Sequence, residues 1–249
     1  MAPGQSSETR ERPADEVERQ LRDLPDLELL GLLRRSSNYT FLARLGPEPE
    51  LLTVYKPRVG ESPLWDFPSG TLYKREVAAY LLARGLGWPN IPPTVVRQRG
   101  PHGVGALQLW VEALPGRDFF EAPDAPETVW EEVALFDVVT NNADRKSGHC
   151  LNDEAGRWWV IDHGLTFHVE TKLRTVIWDF AGRPLPDRLR GDLERATAEL
   201  CSGELRAAMA ELVSPHELAS LERRLEAVQR PGWCYPQPGS GWSVPWPPV

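Results

Sequence analysis

The apolar positions change period along this chain, and the changes mark out its elements. Between residues 15 and 35, Val17, Leu21, Leu24, Leu27, Leu29, Leu30, Leu32 and Leu33 recur at helical spacing on either side of Pro25, predicting two short amphipathic helices. Tyr39–Leu45 and Leu51–Lys56 are β-rich runs around a Gly-Pro turn and predict a hairpin. A Pro- and Gly-rich loop over 57–70 leads to a helix over 71–86, with Leu72, Tyr73, Val77, Tyr80 and Leu81 on its buried side. Two further strands are expected over 92–96 and 106–111. From Pro126 the pattern turns mainly helical, over 127–140, 186–200, 203–213 and 215–229, with one apolar strand at Trp158–Ile161.

This sequence of elements predicts an α+β fold of two lobes: a β-rich N-lobe over 15–111 and a mainly helical C-lobe over 112–232. Residues 1–14, rich in Ser, Glu, Arg and Pro, read as disordered. The tail over 233–249 has too much Pro and Gly for regular structure, and Trp233, Trp242 and Trp246 are expected to pack back on the domain.

Composition narrows the function. At 249 residues, 41% hydrophobic and 26% charged, the chain can bury a sizeable core. No apolar run is long enough to span a membrane, and the polar N-terminus lacks a secretory h-region. Three scattered cysteines make neither a disulfide framework nor a zinc knuckle, which fits the cytoplasm. A net charge of −8 argues against nucleic acid as a partner. Only Lys56, Lys74, Lys146 and Lys172 among the 28 basic residues are lysine, which marks either places where a compact ammonium is wanted or random survivors of codon bias toward arginine.

The candidate chemistry concentrates between Phe136 and His168. Asp144 lies on a polar loop after an apolar helix, where a carboxylate can orient a hydroxyl proton. His149 follows five residues later. Asp162 leaves a strand just before His163-Gly164, where glycine would let the backbone turn and expose the acid to a metal ion. Such an acid, +5 residue and acid-Gly form the outline of a phosphoryl-transfer centre. Upstream, Lys56 ends a strand and can reach nucleotide phosphates, and Glu76, on the next helix, can pair with it. Ser36, Ser37 and Asn38 could cap phosphates in place of a Gly-rich loop, and Gln108 to Glu112, with Trp110, stand where backbone would meet a purine. Histidine suits Mn²⁺ or Zn²⁺ better than Mg²⁺. Asp144, His149, Asp162 and His168 therefore also outline a metal-dependent hydrolase, although no HExxH pairing is present.

The segments VYKP at 54–57, YKREVAAYLL at 73–82, NNADRKSGHCL at 141–151 and IDHGLTFH at 161–168 fall in the order found in the phosphatidylinositol 3-/4-kinase superfamily. The chain resembles that superfamily over about residues 36–180, and most closely its type II 4-kinases and their bacterial, actinobacterial relatives. The resemblance implies a kinase-like fold using ATP with Mg²⁺ or Mn²⁺. It makes Lys56 the phosphate-contacting lysine, Glu76 its partner, Asp144 with the adjacent Arg145 the catalytic pair, and Asp162 with His149 the metal ligands. The family commonly has asparagine at the place of His149, and the Cys-rich membrane-anchoring segment of its eukaryotic type II members is absent here. Lys172, Arg174, Arg183, Arg188 and Arg190 follow the second acid and could meet an anionic head group, or form a solvated helical face. The expectation is γ-phosphoryl transfer from ATP to a hydroxyl of a protein, a lipid head group or a small molecule. The alternatives are a nucleotide-binding pseudokinase acting through protein partners, and the hydrolase.

Overall fold

The computed structural model describes residues 13–33, 38–47, 50–239 and 241–249. The expected disorder over 1–14 falls almost wholly outside these residues. Helix α1 (Ala14–Asp23) is followed by strands β1 (Leu27–Leu32), β2 (Phe41–Leu45) and β3 (Leu51–Pro57), then helix α2 (Leu72–Leu86), β4 (Thr94–Gly100) and β5 (Gly103–Leu109). The five strands form one antiparallel sheet in the order β1-β2-β3-β5-β4.

The two-residue period of β3 decides what each sheet face does. Tyr55 pairs with Leu107 and points into a core with Val17 and Leu21 of α1, Ala43, Leu45 and Val95. Lys56 pairs with Ala106 and lies on the opposite face, which packs on Tyr73 and Val77 of α2. The strands approach closely here: a Cβ on Gly105 would come within 2.4 Å of the Lys56 carbonyl oxygen. Only glycine fits at 105 without moving the strand that carries Lys56.

The second expected N-terminal helix is instead β1. Its Leu27 pairs with Leu45 and its Glu28 with Arg44, and the Arg44 Nη2–Glu28 Oε2 ion pair, at 2.8 Å, caps the outer face. Leucine-rich spacing fits helix or strand over so short a run, and a free partner edge on β2 decides it. The remaining expected N-terminal elements are present, with the last strand ending at Leu109 rather than Val111.

Helices α3 (Glu127–Thr140), α4 (Asp187–Ser202), α5 (Glu204–Ala210) and α6 (Pro215–Val228) enclose the larger core, with the short hairpin β6 (Cys150–Asn152) and β7 (Trp158–Val160) beside it. Helix α6 starts with a capping box, in which Ser214 and Glu217 each accept the other's backbone N–H and Pro215 follows. No helix among the described residues is long and apolar enough to cross a membrane.

Helix α2 is tied to the helical part through Arg75, which is 1% exposed. Its guanidinium donates to the Thr166 carbonyl at 2.6 Å and to Glu217, and stacks on Phe67. In the tail, Trp233 packs on the core as expected, but Trp242 and Trp246 are 78% and 79% exposed. The tail there docks through Pro245, which is buried, and through main-chain carbonyls, so these two rings face outward.

Candidate functional site

Helix α3 ends at Asn141, whose φ of 55° reverses the chain into the loop carrying Asp144. The polar residues of this loop hold it rigid. Asn141 Nδ2 donates to the carbonyls of His168 and Glu170, Asn142 Nδ2 donates to Asp137, and Asn142 Oδ1 accepts the Asp144 N–H at 3.0 Å. The next residue points inward. Arg145 and Asp137 are both 0% exposed and paired at 3.0 Å, and Arg145 also donates to the Ile161 carbonyl and meets His163 Nε2. The Arg145 side chain therefore does not reach the cleft, contrary to its expected place beside the reacting groups. It fixes the Asp144 loop to the end of β7.

Asp162 sits one residue beyond that point with φ of 62°, a conformation aspartate tolerates better than bulkier residues. The sharp turn expected at Gly164 is thus made at Asp162 itself. The Lys56 ammonium lies 2.5 Å from Glu76 Oε1 and 3.1 Å from Asp162 Oδ1. Glu76 is buried, and its Oε2 accepts the His163 N–H at 3.0 Å, so one carboxylate orients both the lysine and the backbone behind Asp162. Burial alone would lower the Lys56 pKa, but the Asp162 and Glu76 carboxylates outweigh it and hold the ammonium above its ordinary value. Lys56 in turn pulls Asp162 well below the usual carboxylate range. Burial pushes Asp144 up to about 6, against the opposing pull of Lys146, whose Nζ is 3.4 Å away.

His149 Nε2 stands 3.3 Å from Asp162 Oδ2. Burial lowers its pKa to about 4, so the ring is neutral at pH 7. The Lys146 N–H donates to Nδ1 at 3.4 Å, which assigns the ring proton to Nε2, facing the carboxylate. His149 therefore sets a protonated nitrogen beside Asp162, where a metal ligand would need a lone pair.

The cleft between sheet and helices is lined by Lys56, Glu76, Asp144 and Asp162, with Asn38 and Thr40 near the β1–β2 connection. Ser36 and Ser37 lie outside the described residues. Gln108 is buried against Thr94, and Trp110 bonds Glu112, so neither lines this cleft. His168 meets the Asp66 carbonyl and the Phe67 ring, away from the two acids. Among the described residues no group of three or more His, Cys, Asp or Glu side chains could hold a metal alone, which removes the ligand set of the hydrolase. Glu61 carries no motif or pattern that marks it in the sequence. It lines the same cleft, its Oε1 accepts the Tyr73 N–H at the start of α2, and its buried Oε2 has no protein partner among the described residues. With Asp162 and Asp144 it adds carboxylate oxygen to the cleft lining, and hard oxygen suits a Mg²⁺ or Mn²⁺ ion held partly by phosphate rather than caged by protein.

No family model matches the chain. Its fold is protein-kinase-like. A hydra Fam20 protein, solved with sugar, aligns over 86% of this chain and 85% of its own with a TM-score of 0.55 and 16% identity. The Helicobacter pylori proinflammatory kinase CtkA aligns over 84% and 93%, with a TM-score of 0.52 and 11% identity. In sequence, Protein Rv2133c of Mycobacterium tuberculosis is 38% identical over 260 aligned positions, covering 89% of this chain and 92% of that protein. At that identity over nearly the whole of both chains, this protein belongs to the same family as Protein Rv2133c.

Proposed function

We propose that this protein transfers the γ-phosphoryl group of ATP to an alcohol acceptor, with Mg²⁺ or Mn²⁺. The observation that carries the reading is the Lys56 ammonium, bridging Glu76 and Asp162 in a cleft onto which Asp144 also opens. Lys56 would offset phosphate charge, and Glu76 keeps its long side chain from straying. Asp144, held in place by Asn142, would accept or orient the acceptor's hydroxyl proton, and a carboxyl with a pKa of about 6 is ionised yet basic enough for that at neutral pH. Asp162 would hold a divalent cation, which would supply positive charge against the charge that develops during transfer.

The acceptor is a hydroxyl of a protein, a lipid head group or a small molecule. The motif resemblance to phosphatidylinositol 3-/4-kinases supports the lipid class, and the description of CtkA as a kinase supports phosphoryl transfer in general. One observation favours nucleotide binding without transfer: the His149 imidazole stands 3.3 Å from Asp162 Oδ2, an oxygen that a metal would use. Both readings require ATP to bind. ATP at a hundred times its Kd, with Mn²⁺, stabilises a folded protein by about 2.7 kcal/mol, which should raise the melting temperature by several degrees. An unchanged melting temperature with both metals would exclude both readings.

A further inference from the structure

The Pro/Trp-rich tail has no part in the nucleotide cleft, yet its last residues bond both the Asp144 loop and the segment bridged to it. At one end the Ser243 carbonyl accepts the Thr175 N–H at 3.1 Å and the Trp178 indole N–H at 3.2 Å. Thr175 bridges directly to Arg145: the Arg145 N–H donates to the Arg174 carbonyl, and the Val176 N–H donates to the Arg145 carbonyl. At the other end the Pro248 carbonyl accepts the Ser147 N–H at 2.8 Å. Ser147 Oγ is itself bonded to Asp118 and accepts the Phe120 N–H. Between the two ends Pro245 is buried while Val244 and Trp246 face outward. Pro245, Pro247 and Pro248 have no N–H, so this stretch cannot close on itself as a helix or strand, and its carbonyls remain free to accept from elsewhere.

Resting on the phosphoryl-transfer reading, we propose that residues 243–248 form a positioning strap. The strap holds the loop of Asp144 by taking one backbone N–H of the loop, at Ser147, and one of the segment bridged to it, at Thr175. Its residues act through Ser147 and Thr175 and touch none of the groups that line the nucleotide cleft. A loosened loop moves Asp144 away from the acceptor hydroxyl but leaves Lys56, Glu76 and Asp162 in place. The strap therefore governs kcat and leaves the nucleotide KM alone.

The test uses the full chain with Pro245→Glu, which sets a charge where the strap is buried and lifts it off. A second variant, Trp178→Phe, removes one donor to Ser243 and keeps an aromatic ring; it decides the matter if the first fails to fold. The readouts are γ-phosphate release from ATP with Mn²⁺ and amide exchange at Ser147 and Thr175. A displacement of about 1 Å can cost on the order of a hundredfold in rate. P245E should lower kcat by tenfold or more, with the ATP KM within twofold of the parent and faster exchange at both amides; W178F should fall between. Unchanged kcat despite faster exchange would show that the strap is only structural, and a raised kcat would show that it blocks the site. Either result overturns the proposal. An inactive parent chain that still binds ATP would instead sink the transfer reading, and the strap's role with it.

Discussion

Replacing Arg145 by methionine separates a residue that builds the site from one that reacts in it. The side chains of Arg145 and Asp137 are both fully buried, and Asp137 also accepts from Asn142 and Thr175. Methionine keeps most of the volume but leaves the Asp137 carboxylate without its cation. Breaking a buried pair in this way costs about 3–5 kcal/mol, a large share of the roughly 5–15 kcal/mol that keeps a domain folded. Unfolding entropy of about 2.1 cal/mol/K per residue gives a chain of this size about 0.5 kcal/mol per kelvin. The melting temperature should therefore fall by about 6–10 °C, read by circular dichroism or dye fluorescence. The double variant Asp137→Asn/Arg145→Met removes the stranded charge as well and should recover at least half of that loss. A single variant melting within 2 °C of the parent, or a double variant no better than the single, would refute the buried-pair account. Full stability with lost turnover would return Arg145 to the reacting groups.

Two further outcomes follow from the acids. A carboxyl with its pKa raised to about 6 keeps its proton up to that pH, so transfer that needs the carboxylate should fall away as pH drops through 6, not through 4. Lys146 opposes that rise, so Lys146→Met should move the acid limb of the rate profile to higher pH; a limb near 4, or one indifferent to Lys146, would show that Asp144 is not the group titrating. His149→Asn takes the imidazole away from Asp162 Oδ2 and supplies an oxygen ligand in its place. Turnover with Mg²⁺ should rise relative to turnover with Mn²⁺, and an equal loss with both metals would show that the histidine is needed as it stands.

Much of the site was legible because it rests on local signals. A lysine ending a strand, a glutamate one turn into the next helix and two acids on polar turns need only local elements to be placed, and the structure brings Lys56, Glu76, Asp144 and Asp162 to one cleft. What was missed depends on tertiary partners. Strand β1 looked helical because nothing in its leucines reveals the free edge of β2. Arg145 looked reactive from its neighbour. The clue to its true partner was Asp137, an acid inside the apolar run Phe136–Val139 that must be paired once buried. Glu61 lies in a loop with no pattern, and only the fold shows it facing the cleft. The outward Trp242 and Trp246 ran against the general habit of tryptophan, because the tail is held by its carbonyls and Pro245.

The most direct test of phosphoryl transfer compares the parent chain with Asp144→Asn, following release or transfer of ³²P from γ-labelled ATP with Mg²⁺ and with Mn²⁺. Asp144 has no buried ion pair to lose, so the variant should fold and ATP should still raise its melting temperature. The account expects turnover in the parent and a loss of at least about a hundredfold in the variant. Turnover that survives Asp144→Asn would contradict the assignment of Asp144. A parent chain that binds ATP yet releases no phosphate to any acceptor would leave a nucleotide-binding protein in place of a kinase.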